Sequence, residues 1–473
     1  MDKSQTHIFV RDASFAVLSQ VVSLVSGFVL SFILPKYIPV INYGYWQLFI
    51  LYTGYVGFLH LGFNDGIYLK LGGEKFDTID RAQLYPAMSI MFLQQVLFSV
   101  LLLVFALAIE DNPVKKSLFA FLSFYIVIDN VYKLMSFILM ATGRVNFYSR
   151  TVILDKVLLL SFIFIILIVN PSCNVAFLIG AFVFAHFVVL AITSKQFKTF
   201  FSVGISNLQD GKKLYIDCVK VGAILLFSNL CSTFIIGSGR FVIEHFWDIE
   251  VFAKVSLALT LSAFLLFFVS QISYVIFPYL RNFTQEQQTV ILDKATFVLT
   301  VLAIIGFSAF FPLYYVVKNW LPQYAECLPF LIILAPLSFY DIKTNLLYNT
   351  YFKNLNKVKT LFVVNFSILI SANIGYWLFA TNSNINGLVT VMLAAVIMKS
   401  LVMEVLLFRY YKLSIHKATY MELITTIALI ISYNLWGMEA LLVCYIVMLL
   451  LFFVLNREGI SSSISYIKKM RKK

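Results

Sequence analysis

Residues 119–146 read FAFLSFYIVIDNVYKLMSFILMATGRVN, an apolar run long enough to cross a membrane that carries charged side chains in its middle. Lys133 lies ten residues before Gly143, which is roughly 15 Å of helix in a hydrocarbon layer about 30 Å thick. At that depth its ammonium cannot reach the interface, so it must face protein or water. The i, i+4 spacing also allows Asp129 and Lys133 to neutralise each other on one helix face. A structural pair and a functional site therefore both remain open.

A second apolar run, FLIILAPLSFYDIKTNLLYNTYF at residues 330–352, places Asp341 and Lys343 at a similar depth. Lys343 is again ten residues from the next basic residue, Lys353. Because two residues of helix turn about 200°, Asp341 and Lys343 point away from each other, and at least one needs a partner on another helix. Lys399, near the middle of a later apolar run, is a further candidate, either for a cavity or for pairing with a neighbouring helix.

The composition supports a membrane protein along the whole chain. Of 473 residues, 61% are hydrophobic and 12% are charged, which is too apolar for a soluble globule. The apolar runs are continuous over about 20 residues, unlike the alternating ten-residue strands of a β-barrel. We therefore predict an all-α polytopic membrane protein with about fourteen spanning helices. They are predicted at residues 13–34, 43–63, 85–109, 117–142, 151–170, 175–194, 217–238, 249–279, 295–317, 327–352, 360–380, 387–408, 419–436 and 438–456.

The distribution of basic residues predicts the topology. Of the 36 Lys and Arg residues, 27 lie in or beside the connections on one side of the predicted membrane, and five lie in those on the other. The basic side is expected to be cytoplasmic, with both termini and the tail IKKMRKK on that side. The net charge of +13 reflects this bias, and we expect no nucleic-acid partner.

A long basic segment at residues 195–216 divides the chain. We predict a six-helix lobe at 1–194, a cytoplasmic loop at 195–216, a second six-helix lobe at 217–411, and two additional helices with a basic tail at 412–473. The fourth and tenth helices carry the mid-membrane charges, and each is followed by a basic turn, GRVNFYSR or KNLNKVK. This weak internal symmetry is typical of transporters with duplicated halves.

Three further charged residues are second-rank candidates. Lys220 lies about one turn inside the seventh predicted helix and could extend to the cytoplasmic interface. Arg240, just outside that helix, could line an outer vestibule or be an ordinary loop charge. Asp65, in LGFNDG at the cytoplasmic mouth of the second helix, is expected in a C-terminal turn.

Motifs for catalysis are absent from the sequence. No HExxH, GxSxG or Walker A motif occurs, and the cysteines and histidines lack metal-ligand spacing. We therefore expect no enzyme activity, no catalytic residues, no metal and no cofactor, while H⁺ or Na⁺ remains possible as a coupling ion.

Several stretches together resemble a known family. The arrangement of six, six and two helices, INYGYWQLFILYTGYVGFLHLGFNDGIYLKLGG at 41–73, TGRVNFYSR at 142–150 and FKNLNKVKT at 352–360 resemble the Wzx-type O-antigen and polysaccharide flippases. These belong to the multidrug, oligosaccharidyl-lipid and polysaccharide exporter superfamily. The resemblance implies two lobes around a cationic central cavity, alternating access, and transfer of a polyprenyl-pyrophosphate-linked oligosaccharide across the bacterial inner membrane during lipopolysaccharide or other polysaccharide biosynthesis. It also implies membrane lipids, a polysaccharide polymerase and chain-length machinery as partners.

The alternative is a cation-coupled drug or small-molecule exporter of the same fold, in which Asp129 or Asp341 would hold the ion. At mid-membrane depth the lysines at least equal the carboxylates in number, with Lys133, Lys343 and Lys399 as cations. Cationic drugs favour an acidic cavity, whereas a pyrophosphate needs basic partners. The charges therefore favour an anionic cargo, such as the lipid-linked one that the resemblance implies.

Overall fold

The computed structural model describes residues 3–170, 174–201, 208–263 and 283–462, and these residues form helices and turns without any strand. Among them, ten helices are long and apolar enough to cross a membrane, and an eleventh candidate is a pair bent by 48°, Pro322–Leu334 with Leu337–Asn354. Large apolar side chains cover much of the surface, with Ile168 80% exposed and Val169 78% exposed, as contact with lipid requires. The all-α polytopic membrane fold is confirmed.

The helices are named here in chain order. The first eight are α1 (Lys3–Phe28), α2 (Val40–Val56), α3 (Phe63–Lys70), α4 (Arg81–Ala108), α5 (Pro113–Ala141), α6 (Val145–Val169), α7 (Val175–Ser194) and α8 (Leu208–Phe246). The others are α9 (249–263), α10 (Gln285–Gly306), α11 (Phe310–Trp320), α12 (Leu328–Leu334), α13 (Leu337–Ile342), α14 (Asn349–Asn354), α15 (Val358–Thr381), α16 (Ile385–Tyr410) and α17 (Lys417–Leu455).

All fourteen predicted positions hold helix, but several of them depart from simple spans. The second span is broken, the eighth is helical over 249–263 and lies outside the described residues beyond that point, and the last two form one stretch interrupted at Gly437. Gly437 has φ 80° and ψ −163°, a conformation that glycine tolerates, so the predicted turn there is confirmed. Residues 202–207 of the basic segment and the tail 463–473 lie outside the described residues.

The break in the second span was not predicted. A short 3₁₀ turn, Gly57–His60, follows α2, and Leu61 and Gly62 then take left-handed conformations before α3 begins. The helix carbonyl groups that lose their intrahelical partners at such a break need other donors. Gln94 and Gln95 supply them, because both side-chain amides donate to Leu59 O, at 2.8 and 3.1 Å.

The tenth predicted helix, 327–352, is also interrupted. Pro336 separates α12 from α13 and cannot donate a backbone hydrogen bond, which accounts for the bend. The chain then passes through a π-helical turn, Lys343–Tyr348, into α14. Such turns are frequent at functional sites, and this one begins at a predicted site residue.

The chain divides into two compact units, Met1–Leu230 and Cys231–Lys473. The division falls inside α8, so one continuous helix contributes to both. In the first unit, a Cβ added at Gly222 would lie 2.1 Å from Gly62 O, which shows backbone-to-backbone contact between α8 and the broken second span. The predicted bounds of the lobes, the loop and the two added helices stay predictions.

Candidate functional site

The two charged residues that define the fourth predicted helix lie on one face of α5. Lys133 Nζ is 2.7 Å from Asp129 Oδ2, so the predicted i, i+4 pair is confirmed. The carboxylate is buried, but 41% of the Lys133 side chain is exposed. Lys133 is six residues from the middle of α5, about 9 Å along its axis, and so remains within hydrocarbon depth. The pair therefore neutralises Asp129 and leaves its lysine accessible.

The ammonium of Lys133 lies where α2 ends. A Cβ added at Gly57 would be 2.7 Å from Lys133 Nζ, so a side chain at this position would occupy the space that the ammonium uses. Asn130 Nδ2 donates to Val56 O at 3.0 Å and so satisfies a carbonyl at the same end. The carbonyl end of a helix carries partial negative charge and stabilises a cation. The break in the second span thus forms the surroundings of Lys133.

A second polar cluster in the first unit includes residues that were not predicted as site residues. His186 Nδ1 is 3.3 Å from Asp155 Oδ1, and Lys156 Nζ is 2.8 Å from Asp155 Oδ2. The Tyr125 ring packs edge-on against His186, and its hydroxyl donates to Asp129 Oδ1 at 3.2 Å. Asp155 lies only four residues inside the predicted span 151–170, where its position indicated an interfacial charge. Its burial depends on α7, which periodicity alone could not place beside it.

Lys343 is in a different environment in the second unit. Its side chain is 0% exposed, its Nζ donates to Glu422 Oε2, and the same atom is 3.9 Å from Glu404 Oε2. Glu404 belongs to α16 and Glu422 to α17, so the expected partner on another helix is found twice. No sequence pattern indicated Glu422, which lies near the start of an additional helix. A cargo-binding role for Lys343 stays a prediction, and in this structure its ammonium is ion-paired.

Asp341 and Lys399 form another charge pair of this unit, with the Lys399 side chain 4% exposed and that of Asp341 17% exposed. Lys399 Nζ is 3.8 Å from Asp341 Oδ1, and it donates to Ser232 Oγ at 2.8 Å. The alternative that Lys399 pairs with a neighbouring helix is therefore confirmed. Roles for Asp341 and Lys399 in binding cargo stay predictions.

The second-rank candidates occupy places that differ in part from those predicted. Lys220 is exposed on α8, as an interfacial lysine would be. The prediction that Arg240 lies just outside the helix was wrong, because α8 continues to Phe246. Arg240 Nη2 donates to Ser256 Oγ at 3.0 Å, and its guanidinium lies over the Phe252 ring at 5.2 Å. These two contacts hold the Arg240 side chain against α9.

The prediction that Asp65 lies in a C-terminal turn was also wrong. Asp65 lies in the first turn of α3, because the chain restarts a helix after Gly62. A carboxylate in the first turn complements the positive end of the helix dipole. Asp65 Oδ2 is also 3.8 Å from His60 Nε2 on the other side of the break.

These contacts separate the membrane charges into two kinds. Lys343 and Lys399 are buried, and carboxylates within 4 Å of them offset their charge. Lys133 is also paired, but it keeps a large exposed fraction and can add a second anionic partner. Chemically, the exposed ammonium of Lys133 is available to an anion, whereas the second unit holds a buried, carboxylate-rich network.

Comparison with known proteins identifies the fold. No protein-family model and no curated protein matches the sequence. Among solved structures, lipid II flippase MurJ in an inward closed conformation is similar over 95% of this chain and 100% of its own, with a TM-score of 0.67 at 13% identity. An inward-facing multidrug resistance MATE family transporter of the MOP superfamily is similar over 85% and 98%, with a TM-score of 0.52 at 14% identity.

A third solved structure, the eukaryotic MATE transporter AtDTX14, is similar over 88% of this chain and 100% of its own, with a TM-score of 0.50 at 12% identity. All three share one all-helical membrane architecture with this chain. The chain therefore has the fold of the MOP-superfamily transporters.

Proposed function

We propose that the protein is a flippase that carries a polyprenyl-pyrophosphate-linked oligosaccharide across the bacterial inner membrane by alternating access. The observation that carries the proposal is Lys133, a lysine within hydrocarbon depth with 41% of its side chain exposed. A lysine at the centre of a spanning helix costs about 2.5–3.5 kcal/mol on insertion scales and less towards the interface, so the exposed part of Lys133 favours a water-filled path or a second anionic partner.

The pyrophosphate of such a cargo would be that anionic partner. Its oxygens accept charge-assisted hydrogen bonds, and Asp129 and the end of α2 hold the lysine in place to donate them. The sugars need water or hydroxyl partners along the path, while the polyprenyl tail can stay in lipid. The exposed ammonium of Lys133 supplies the cation that the pyrophosphate needs.

The shared fold supports a lipid cargo. MurJ is a lipid II flippase, and its fold matches this chain over nearly the full length of both. A surface-polysaccharide repeat unit, such as that of O-antigen, is the glycan that the resemblance of residues 41–73 favours. A polysaccharide polymerase and chain-length machinery would then act on the product.

A transport assay with the purified protein tests the proposal. Proteoliposomes would contain a polyprenyl-pyrophosphate oligosaccharide labelled on its glycan, and an impermeant reductant would report the label in the outer leaflet. We expect rapid transfer with the wild type and at least a tenfold loss with Lys133→Ala, since one charge-assisted bond contributes about 1.5–3 kcal/mol. Lys359→Ala, which removes an exposed lysine at the start of α15, is the matched control. Wild-type rates in Lys133→Ala would refute the role of Lys133.

The proposed orientation has its own test. Reporter fusions within 195–216 and at the C-terminus should read cytoplasmic, and a fusion at 381–386 should read periplasmic. A periplasmic C-terminus would mean that the number of spans is odd.

The MATE structures give a reason to test a second function, export of a cationic drug. Asp129 would then bind the drug or the coupling ion, because it is the buried acid next to the exposed position. Efflux of a cationic dye that depends on Asp129 but persists in Lys133→Ala would favour this function. Transfer of the anionic lipid that requires Lys133 would favour the flippase.

A further inference from the structure

The buried charges around Lys343 do not balance. One ammonium contacts two carboxylates, Glu422 Oε2 directly and Glu404 Oε2 at 3.9 Å, and all three side chains are at most 4% exposed. With every group ionised, the cluster has a net charge of −1. An uncompensated charge in a buried membrane site costs several kcal/mol, and such a site usually neutralises itself by binding a proton or a cation.

Glu404 is the carboxylate that the protein stabilises as an anion. Tyr348 OH donates to Glu404 Oε2 at 2.8 Å, and Thr419 Oγ1 donates to Glu404 Oε1 at 2.7 Å. Hydrogen bonds donated to a carboxylate favour its charged form. Both oxygens of Glu404 are thus satisfied without a proton of their own.

Glu422 is the opposite case. Its Oε2 accepts from Lys343, but Oε1 is buried and has no hydrogen-bond partner among the residues that the structure describes. The Thr300 hydroxyl faces Glu422, yet it donates its proton to Thr296 O at 3.0 Å. Thr300 can therefore accept a hydrogen bond from Glu422, but in this arrangement it cannot donate one. A protonated Oε1 would fit this environment, and a bare oxygen would not.

The neighbouring titratable groups do not offset the missing charge. Tyr340 is neutral and its hydroxyl bonds to Thr426, while His416, at the start of α17, contacts Asp293. The remaining buried pair nearby, Asp341 with Lys399, is balanced by itself. In the described part of the chain, Lys343 is thus the cation in contact with the two glutamates.

We propose that Glu422 binds a proton on Oε1 and that Glu404, Lys343 and Glu422 form a buried proton site. The proton comes from water and returns to water, and no other bond is made or broken. Glu422 is five residues after the start of α17, about 8 Å along the helix, so it lies close to the first residue of that helix. Coupling of this proton to cargo transfer rests on the proposed function. The presence of the proton on Glu422 does not depend on that function.

Infrared difference spectroscopy of the purified protein tests the site without any cargo. We expect a carboxylic-acid C=O band at neutral pH that is lost in Glu422→Gln and shifted in Glu422→Asp. Glu404→Asp should leave its position unchanged. Glu404→Gln should also remove the band, because Lys343 then balances Glu422 alone. Asp129→Asn, in the first unit, is the control that keeps the band.

Three results would overturn the proposal. The first is the absence of the band in the wild type, and the second is a band that shifts with Glu404→Asp but not with Glu422→Asp. The third is a band that vanishes when Na⁺ replaces choline in the buffer, which would mean that the site binds sodium. A normal band in a protein that fails to move the labelled lipid would refute the proposed function and leave the proton site intact.

Discussion

Lys133 and Lys343 occupy corresponding places in the sequence, each inside an apolar run and ten residues before the next basic turn, yet their surroundings differ. Lys133 shares one carboxylate and is 41% exposed, whereas Lys343 lies between two carboxylates and is 0% exposed. Similar positions in two related helices have thus acquired different chemistry. Depth alone shows that a lysine needs a partner, and it does not show whether that partner is protein or cargo.

The difference arises from the neighbouring helices. Near Lys133 the adjacent helix ends, and Gly57 leaves space without a side chain. Near Lys343 the additional helix α17 contributes Glu422, and α16 contributes Glu404. The first unit leaves space around its lysine, and the second encloses it.

The largest effect should come from removing the enclosed lysine. Lys343→Met leaves the Glu404 carboxylate buried without its cation, and loss of one partner of a buried pair costs about 3–5 kcal/mol. We expect a large fall in the melting temperature of the purified protein and in its abundance in membranes. The double variant Lys343→Met, Glu404→Gln should recover much of this stability, because Glu422 is already neutral in the proposed proton site. A melting temperature like that of the wild type in the single variant would contradict the enclosed network.

Removing the accessible lysine should affect stability less and transport more. Lys133→Ala leaves Asp129 without its ammonium partner, but the Tyr125 hydroxyl still donates to Asp129. We therefore expect the free energy of unfolding to fall by about 1–3 kcal/mol and most lipid transfer to be lost. Lys133→Arg should keep part of the activity because the charge survives.

The double variant Asp129→Ala, Lys133→Ala decides whether Lys133 serves the cargo or only its neighbour. If Lys133 only neutralises Asp129, removing both restores transfer, since no unpaired charge remains. We expect no recovery relative to either single variant at matched membrane abundance. Recovery would mean that Lys133 serves only to neutralise Asp129.

A smaller effect should follow from filling the space beside Lys133. Gly57→Ala places a Cβ 2.7 Å from the present position of Lys133 Nζ, and the flexible lysine must move away. We expect a several-fold loss of lipid transfer with little change in melting temperature. Gly54→Ala is the matched control, because a Cβ there meets no atom within 4 Å. Equal activities of the two variants would show that the exact place of the ammonium is unimportant.

The smallest expected effect concerns a pH-dependent contact that joins the start of α17 to α10. Burial lowers the pKa of His416, but the hydrogen bond to Asp293 and the charge of Asp293 outweigh this and raise the pKa above 6.5. The contact therefore stabilises fully below pH 6.5 and is lost as the pH rises through the raised pKa. His416→Gln should lower the melting temperature at pH 6 more than at pH 9. An equal loss at both values would exclude a charged His416.

The sequence by itself determined the all-helical membrane fold, the approximate positions of the spans and the residues that need partners. These follow from long apolar runs and from the cost of burying charge, which are local properties. It also determined that Asp341 and Lys343 could not pair with each other, because helix geometry sets their directions. Only the tertiary structure decided which partners each charge found. Glu422 and Asp155 gave no local signal, and their roles depend on α17 and α7 lying beside them. The break after Gly57 likewise depends on Gln94 and Gln95, which satisfy a carbonyl that the local sequence leaves without a partner.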